Sequence, residues 1–152
     1  MAKFKFKLDS YLKLKEKLED QKKQEYGRAI SVLEQERAEK ARLARIAAEN
    51  LASFRESLKK PIDPTALQRY GNYSELMKKR IAAQQETVER AEDKAEKKRL
   101  ELVEAVKEKK ALEILKGKAL EEFRQEEKLA EQRTVDEIVS YRFKKAEQGQ
   151  EV

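Results

Sequence analysis

The chain has 152 residues, of which 43% are charged and 39% belong to the hydrophobic class. Such a composition cannot fill the thick core of a globular domain, but its richness in Ala, Glu, Lys, Leu and Arg is typical of long helices and coiled coils. Disorder is the alternative for so polar a chain. The helical periodicity of the apolar residues argues against it.

The net charge of +6 is distributed unevenly. Residues 1–60 contain 16 Lys/Arg and 10 Asp/Glu, whereas residues 74–152 contain 19 of each. A basic first half favours an acidic partner surface. Nucleic acid is an alternative partner, but most cations are interleaved with anions, as on a solvated helix face. The chain also lacks the dense basic run of a helix that reads a DNA groove, so we expect no nucleic-acid binding.

Cysteine and histidine are both absent from the sequence. This excludes disulfides, Cys/His metal sites, thiol nucleophiles and histidine bases. Acidic pairs such as Glu121-Glu122 point about 100° apart on a helix, and there is no glycine-rich phosphate loop. We therefore expect no catalytic residues, no cofactor and no metal. No apolar run is long enough for a membrane span, and the N-terminus is unlike a secretory signal, so the expected location is the cytoplasm.

The first predicted element is a long N-terminal helix over residues 1–60. Residues 3–8 alternate lysine with Phe4, Phe6 and Leu8, and we interpret them as a frayed helix start, since a strand would lack a partner. The predicted seam steps by three or four residues, with a stutter near Lys22, Tyr26 and Ile30. Its members are Leu8, Tyr11, Lys15, Leu18, Lys22, Tyr26, Ile30, Leu33, Arg37, Lys40, Ala44, Ala47, Leu51, Phe54 and Leu58.

The predicted tip of a helical hairpin occupies residues 61–73. Pro61 stops the first helix, because proline lacks the N–H that a helix interior needs. Asp63 is the expected N-cap of a short helix with Pro64 in its first position, and Gly71 is expected to end that helix. A connection this short folds two long helices back antiparallel. Tyr70 and Tyr73 flank the tip, where packing and partner binding are equally compatible with the sequence.

The second long helix is predicted over residues 74–145, followed by a frayed tail at 146–152. Its seam comprises Met77, Ile81, Gln84, Val88, Ala91, Ala95, Lys98, Leu102, Ala105, Lys109, Leu112, Lys116, Ala119 and Phe123. Because the second helix is longer than the first, it should have no internal partner from about Lys128 onward. Apolar residues continue in this overhang, including Val135, Ile138 and Val139, and they indicate an external partner.

Two terminal motifs resemble the flagellar export protein family FliJ. The opening pattern of Phe4, Phe6, Leu8, Leu12 and Leu14 is similar to the start of that family. The segment Glu131–Glu137, with sequence EQRTVDE, is similar to its C-terminal Gln-Lys-x-x-Asp-Glu pattern, with Arg133 in place of lysine. The resemblance covers the whole length of the chain. The helices between the motifs would match almost any coiled coil.

The resemblance implies a non-enzymatic component of the flagellar type III export apparatus, built as an antiparallel two-helix coiled coil like the central stalk of rotary ATPases. It implies three partners: the hexameric export ATPase, the cytoplasmic domain of the export gate, and export chaperones. It also implies a cytoplasmic protein held at the basal body only through these partners. A generic coiled-coil scaffold or adaptor without a motor partner is the alternative.

Site residues carried over from the resemblance fall into two groups. The implied ATPase-binding residues are Phe4, Phe6, Leu8, Gln132, Val135, Asp136, Glu137, Ile138 and Val139. The implied gate-binding residues are Phe54, Tyr73, Leu76 and Ala83. Arg80 and Thr87 occupy contact positions of the family on the same face but differ in residue type.

Overall fold

A computed structural model describes residues 2–150 of the chain, and the side chains of residues 2–149. It contains two α-helices, α1 over Asp9–Ser57 and α2 over Pro64–Gln150. No strand occurs anywhere in residues 2–150. The two helices pack against each other as an antiparallel pair, which confirms the predicted all-α helical hairpin. No helix in this described range is both long and apolar enough to cross a membrane.

The first helix starts later than predicted. Residues 2–8 are not helical, and the first helical hydrogen bond runs from the Leu12 N–H to the Leu8 carbonyl. Alternation of lysine with large apolar residues suits an extended segment with one buried side, not a helical stripe. Asp9, in the first turn, has a favourable charge for a helix N-terminus. We call residues 2–8 the N-terminal strap.

The tip is also shorter than predicted. α1 ends at Ser57 and α2 begins at Pro64, so the connection is residues 58–63 and not 61–73. Asp63 accepts a hydrogen bond from the Thr65 N–H at 3.2 Å, as an N-cap does. The predicted break at Gly71 is wrong: α2 continues through it with no positive φ. A single glycine lowers helix stability by only about 1 kcal/mol, too little to end a helix held by tertiary packing.

The second helix ends later than the predicted residue 145. α2 runs without interruption to Gln150, through the good helix formers Glu147 and Gln148 and in spite of Gly149. Residues 151 and 152 of the predicted tail lie outside the described residues.

The seam of α2 follows the predicted pattern throughout. All fourteen predicted positions from Met77 to Phe123 are buried or half-buried, with alternating steps of four and three residues. This is the heptad spacing of a coiled coil. Small residues dominate the middle, where Ala91, Ala95 and Ala105 are each 8% exposed or less.

The seam of α1 is more regular than predicted. A row of buried and half-buried positions steps by three and four without a stutter: Leu12, Lys15, Glu19, Lys22, Tyr26, Ala29, Leu33, Glu36, Lys40, Leu43, Ala47, Asn50 and Phe54. Leu18 and Ile30, two predicted members that lie beside this row, are also half-buried. Several predicted members are instead exposed: Leu8, Tyr11, Arg37, Ala44, Leu51 and Leu58. Six of the thirteen observed positions are polar, and for three of them, Glu19, Glu36 and Asn50, the predicted seam has the neighbours Leu18, Arg37 and Leu51 instead.

The chain divides into two compact units, each pairing a segment of α1 with a segment of α2. The second unit, Leu18–Ala105, has its apolar centre at Ala29, Leu33, Val88, Ala91 and Ala95. Polar seam residues there bond across the pair. The Gln84 amide donates to the Glu36 carbonyl at 2.9 Å and to its carboxylate at 2.6 Å.

Four charged side chains form a closed ring across the second unit. Lys22 lies 3.4 Å from Glu25 and 3.3 Å from Glu101, and Lys98 lies 3.3 Å and 3.2 Å from the same two carboxylates. Lys98 is the main cause of the lowered pKa of both Glu25 and Glu101. The two carboxylates in turn raise the pKa of Lys98, Glu101 most. The ring therefore holds both helices through ionised groups.

The first unit comprises Met1–Lys17 and Val106–Val152. Leu12 and Leu112 are its buried apolar residues, at 4% and 7% exposure. Ion pairs join its two segments: Lys15 lies 2.6 Å from Glu108, and Lys116 lies 3.3 Å from Asp9. The Glu108 carboxylate raises the pKa of Lys15, and Lys116 lowers the pKa of Asp9.

Candidate functional site

In the first unit, the N-terminal strap lies against α2. The ring centroids of Phe4 and Phe123 are 5.6 Å apart with the planes inclined at 54°, a favourable tilted arrangement. The strap and α2 enclose an open groove of about 810 Å³, with Leu8, Leu115 and Ala119 among its lining residues. Phe4 and Phe6 are half-buried, whereas Lys3, Lys5 and Lys7 are exposed. The sequence alternation therefore places aromatic rings inward and a row of cations outward.

Past this groove, α2 has no partner within the described chain. Every residue from 128 to 149 is exposed, and we call this segment the C-terminal overhang. It includes large apolar side chains at exposures of 48–68%: Leu129, Val135, Ile138, Val139, Tyr141 and Phe143. An apolar surface of this kind on a continuous helix is typical of an interaction site.

The residues implied for ATPase binding do not share one face of the overhang. Gln132, Val135 and Val139 lie on one side, since they are spaced by three and four residues. Glu137 lies on the opposite side, because it is two positions from both Val135 and Val139, and a step of two residues turns about 200° round a helix. The groove beside the strap ends at Glu126, six residues before Gln132. Strap and overhang thus contribute two separate surfaces of the first unit.

In the second unit, three residues implied for gate binding form a continuous face beside the seam. Tyr73, Leu76 and Ala83 are exposed, and their spacing of three and seven residues keeps them on one side of α2. The Thr87 hydroxyl on the same face donates to the Ala83 carbonyl at 3.2 Å. This face is accessible without any rearrangement of the helix pair.

Phe54, the fourth residue of that group, has a different environment. Its ring stacks on Tyr70 with centroids 3.8 Å apart and planes inclined by only 3°. This contact connects the end of α1 to the first turns of α2. The sequence was equally compatible with packing and with partner binding at Tyr70, and in the structure Tyr70 packs against Phe54. Sequence periodicity could not reveal the stack, since the two residues belong to different helices.

A small groove of about 240 Å³ lies on the other flank of the same seam. Its lining includes Leu51, Tyr70, Ser74 and Met77. No sequence pattern indicates this groove, since it forms between the small residues Ala47 and Ala48 and the facing part of α2.

Metal-binding arrangements are not found in the residues that the structure describes. No group of three or more acidic residues that could hold a metal occurs among them. In the same range, no buried side-chain polar atom lacks a hydrogen-bond partner. The accessible features of these residues include apolar helix faces, a kind of surface typical of protein interaction sites.

The family model described as "Flagellar FliJ protein" matches residues 4–148, nearly the whole chain. The chain belongs to the FliJ family. It is accordingly a component of flagellar export, and the FliJ family is non-catalytic. No curated protein and no solved structure matches the chain closely enough to add to this assignment. The FliJ match includes residues 4–8 of the strap and residues 128–148 of the overhang.

Proposed function

We propose that this FliJ-family protein binds the hexameric flagellar export ATPase through the strap and the overhang, and promotes its assembly and activity. The observation that carries the proposal is the overhang itself: residues 128–149 are helical and exposed throughout, and they bear six large apolar side chains. An isolated helix of this length is only marginally stable in water. A partner that covers its apolar side would stabilise it.

Deletion of residues 129–152 tests this proposal. The α1–α2 seam ends at Phe123, so the truncated hairpin should keep its helicity and its unfolding transition. Stimulation of the ATPase should be lost, since apolar anchors of this kind contribute about 1–3 kcal/mol each, or roughly ten- to hundredfold in affinity. Full stimulation by the truncated protein would leave the generic scaffold as the better interpretation.

A pair of point variants removes the ambiguity of a deletion. Val139→Asp places a charge on the apolar side of the overhang, whereas Ser140→Asp places the same charge about 100° away. Both positions are exposed, so neither change should alter the stability of the hairpin. We expect Val139→Asp alone to reduce ATPase stimulation. Equal effects of the two variants would show that charge, and not the apolar contact, is responsible.

We propose the face formed by Tyr73, Leu76 and Ala83 as the site for the cytoplasmic domain of the export gate. Its support is the accessibility of these three side chains on one side of α2. Ala83→Asp should weaken gate binding about tenfold or more, while Ala82→Asp, one position round the helix, should not. Unchanged gate affinity for a folded Leu76→Asp/Ala83→Asp protein would contradict this assignment. Phe54 would support the site indirectly, through its stack on Tyr70.

Export chaperones are proposed as a third class of partner, with family membership as their support. The proposed location is the cytoplasmic side of the basal body, reached through these partners. Co-purification of tagged protein from a flagellated cell tests both statements. Recovery of neither the ATPase nor a chaperone would favour the scaffold.

A further inference from the structure

The apolar side of the overhang is turned away from the seam of the hairpin. Val139 follows Phe123 by sixteen residues, which at 100° per residue places it about 160° round the helix from the seam. A longer α1 would therefore not cover it. The stripe has its own heptad spacing of three and four residues, formed by Gln132, Val135, Val139, Arg142 and Ala146. Such spacing suits a second helix packed along this side.

We propose that the overhang binds a second copy of itself as an antiparallel helix pair. Pairing about a two-fold axis places Val135 opposite Val139 of the second copy, and Gln132 opposite Arg142. In this arrangement, each position beside the seam contacts a position on the same flank of the second copy. On one flank, Ile138 meets Ile138 of the second copy on the axis. On the other, Leu129 meets Phe143. These five apolar residues are 48–66% exposed in the single chain.

Charge complementarity supports the same register. Glu131 and Lys145 occupy the flank of Ile138 and are exposed. In the paired helices, Glu131 of each copy lies opposite Lys145 of the other, which gives two symmetric ion pairs. Asp136 is the exception, because it meets Asp136 of the second copy near the axis. Two exposed ion pairs contribute little stability, and the like-charge contact opposes them. We therefore expect a reversible association and not a permanent dimer.

This association would compete with the proposed ATPase contact without depending on it. Val135, Ile138 and Val139 would be covered in the dimer, so a chain in the paired state could not present them to another protein. The inference rests on the spacing and charges of the overhang alone. It would survive the failure of the proposed function.

Cysteine cross-linking of the full-length chain tests the register. The natural sequence contains no cysteine, so Ile138→Cys and Leu129→Cys each introduce a single thiol. In the proposed pair, the two residues at 138 meet on the axis, whereas those at 129 are about 20 Å apart along the helices. A short bis-maleimide should convert Ile138→Cys to dimer at least tenfold faster than Leu129→Cys. Equal rates would overturn the proposal.

Charge variants and sedimentation equilibrium of the full-length chain supply an independent test. Glu131→Lys should weaken self-association about tenfold, and the double variant Glu131→Lys/Lys145→Glu should restore it. Asp136→Asn should strengthen it by threefold or more, since it removes the like-charge contact. A chain that stays monomeric at all concentrations, or an association that these variants do not change, would refute the pairing.

Discussion

Gly71 offers a direct test of how the hairpin tip is built. In the structure it lies in the second turn of α2, without a positive φ, and a Cβ added there would meet no atom within 4 Å. Gly71→Ala therefore introduces no clash and reduces the entropy that the unfolded chain loses on folding. Alanine is favoured over glycine in a helix interior by about 0.5–1 kcal/mol. We expect an increase in the free energy of unfolding of that size.

The assay is urea or thermal unfolding followed by circular dichroism. For a chain of this length, 1 kcal/mol corresponds to a rise in Tm of about 2–4 °C. Gly117→Ala is a matched control, since Gly117 also lies inside α2 with open space around it. Similar stabilisation by both changes is the expected result. If Gly71 instead ended a short helix in a left-handed conformation, alanine there would destabilise the protein while Gly117→Ala stabilised it, and the continuous helix would be refuted.

Three further predictions concern stability. Val88→Ala should lower the free energy of unfolding in urea by about 2 kcal/mol, because Val88 is 4% exposed, whereas Val135→Ala in the overhang should change it by less than about 0.5 kcal/mol. The lowered pKa values of Glu25 and Glu101 stabilise the folded state above pH 4.5, their ordinary value, and this stabilisation is lost as the pH falls below it. The acid-induced fall in Tm should be smaller in a Glu25→Gln/Glu101→Gln protein, which should be less stable at pH 7. Phe4→Ala should increase amide exchange in the strap, since it removes the ring contact with Phe123, without lowering the global Tm by more than a few degrees.

The sequence alone was sufficient for the seam of the second helix, but not for the bounds of that helix. Fourteen positions from Met77 to Phe123 were predicted and all are buried or half-buried. Most of them are apolar or small, so a 3.5-residue repeat is visible without knowledge of the partner helix. Composition, the two prolines and the Asp63 cap likewise predicted the fold class and a turn near Pro61, although the bounds of the turn differ. The exposure of the overhang follows from simple helix lengths.

The first helix shows why the rest required tertiary structure. Glu19 is 5% exposed and pairs with Lys23 on the same helix, and Glu36 lies in the seam, where it accepts a hydrogen bond from Gln84 on the facing helix. No apolar pattern in one helix can reveal that arrangement, so the predicted seam has Leu18 in place of Glu19 and Arg37 in place of Glu36. The same reason applies to Gly71: packing along α2 outweighs a local preference of about 1 kcal/mol.

The candidate sites divide along the same line. Tyr73, Leu76 and Ala83 share a face through helical spacing, which the sequence contains in full. The contact of Phe4 with Phe123 joins residues that are more than a hundred positions apart. The stack of Phe54 on Tyr70 joins residues that are sixteen positions apart. Periodicity within one segment carries no information about such pairs. Only the packing of the two helices decides which aromatic rings stabilise the fold and which remain exposed for a partner.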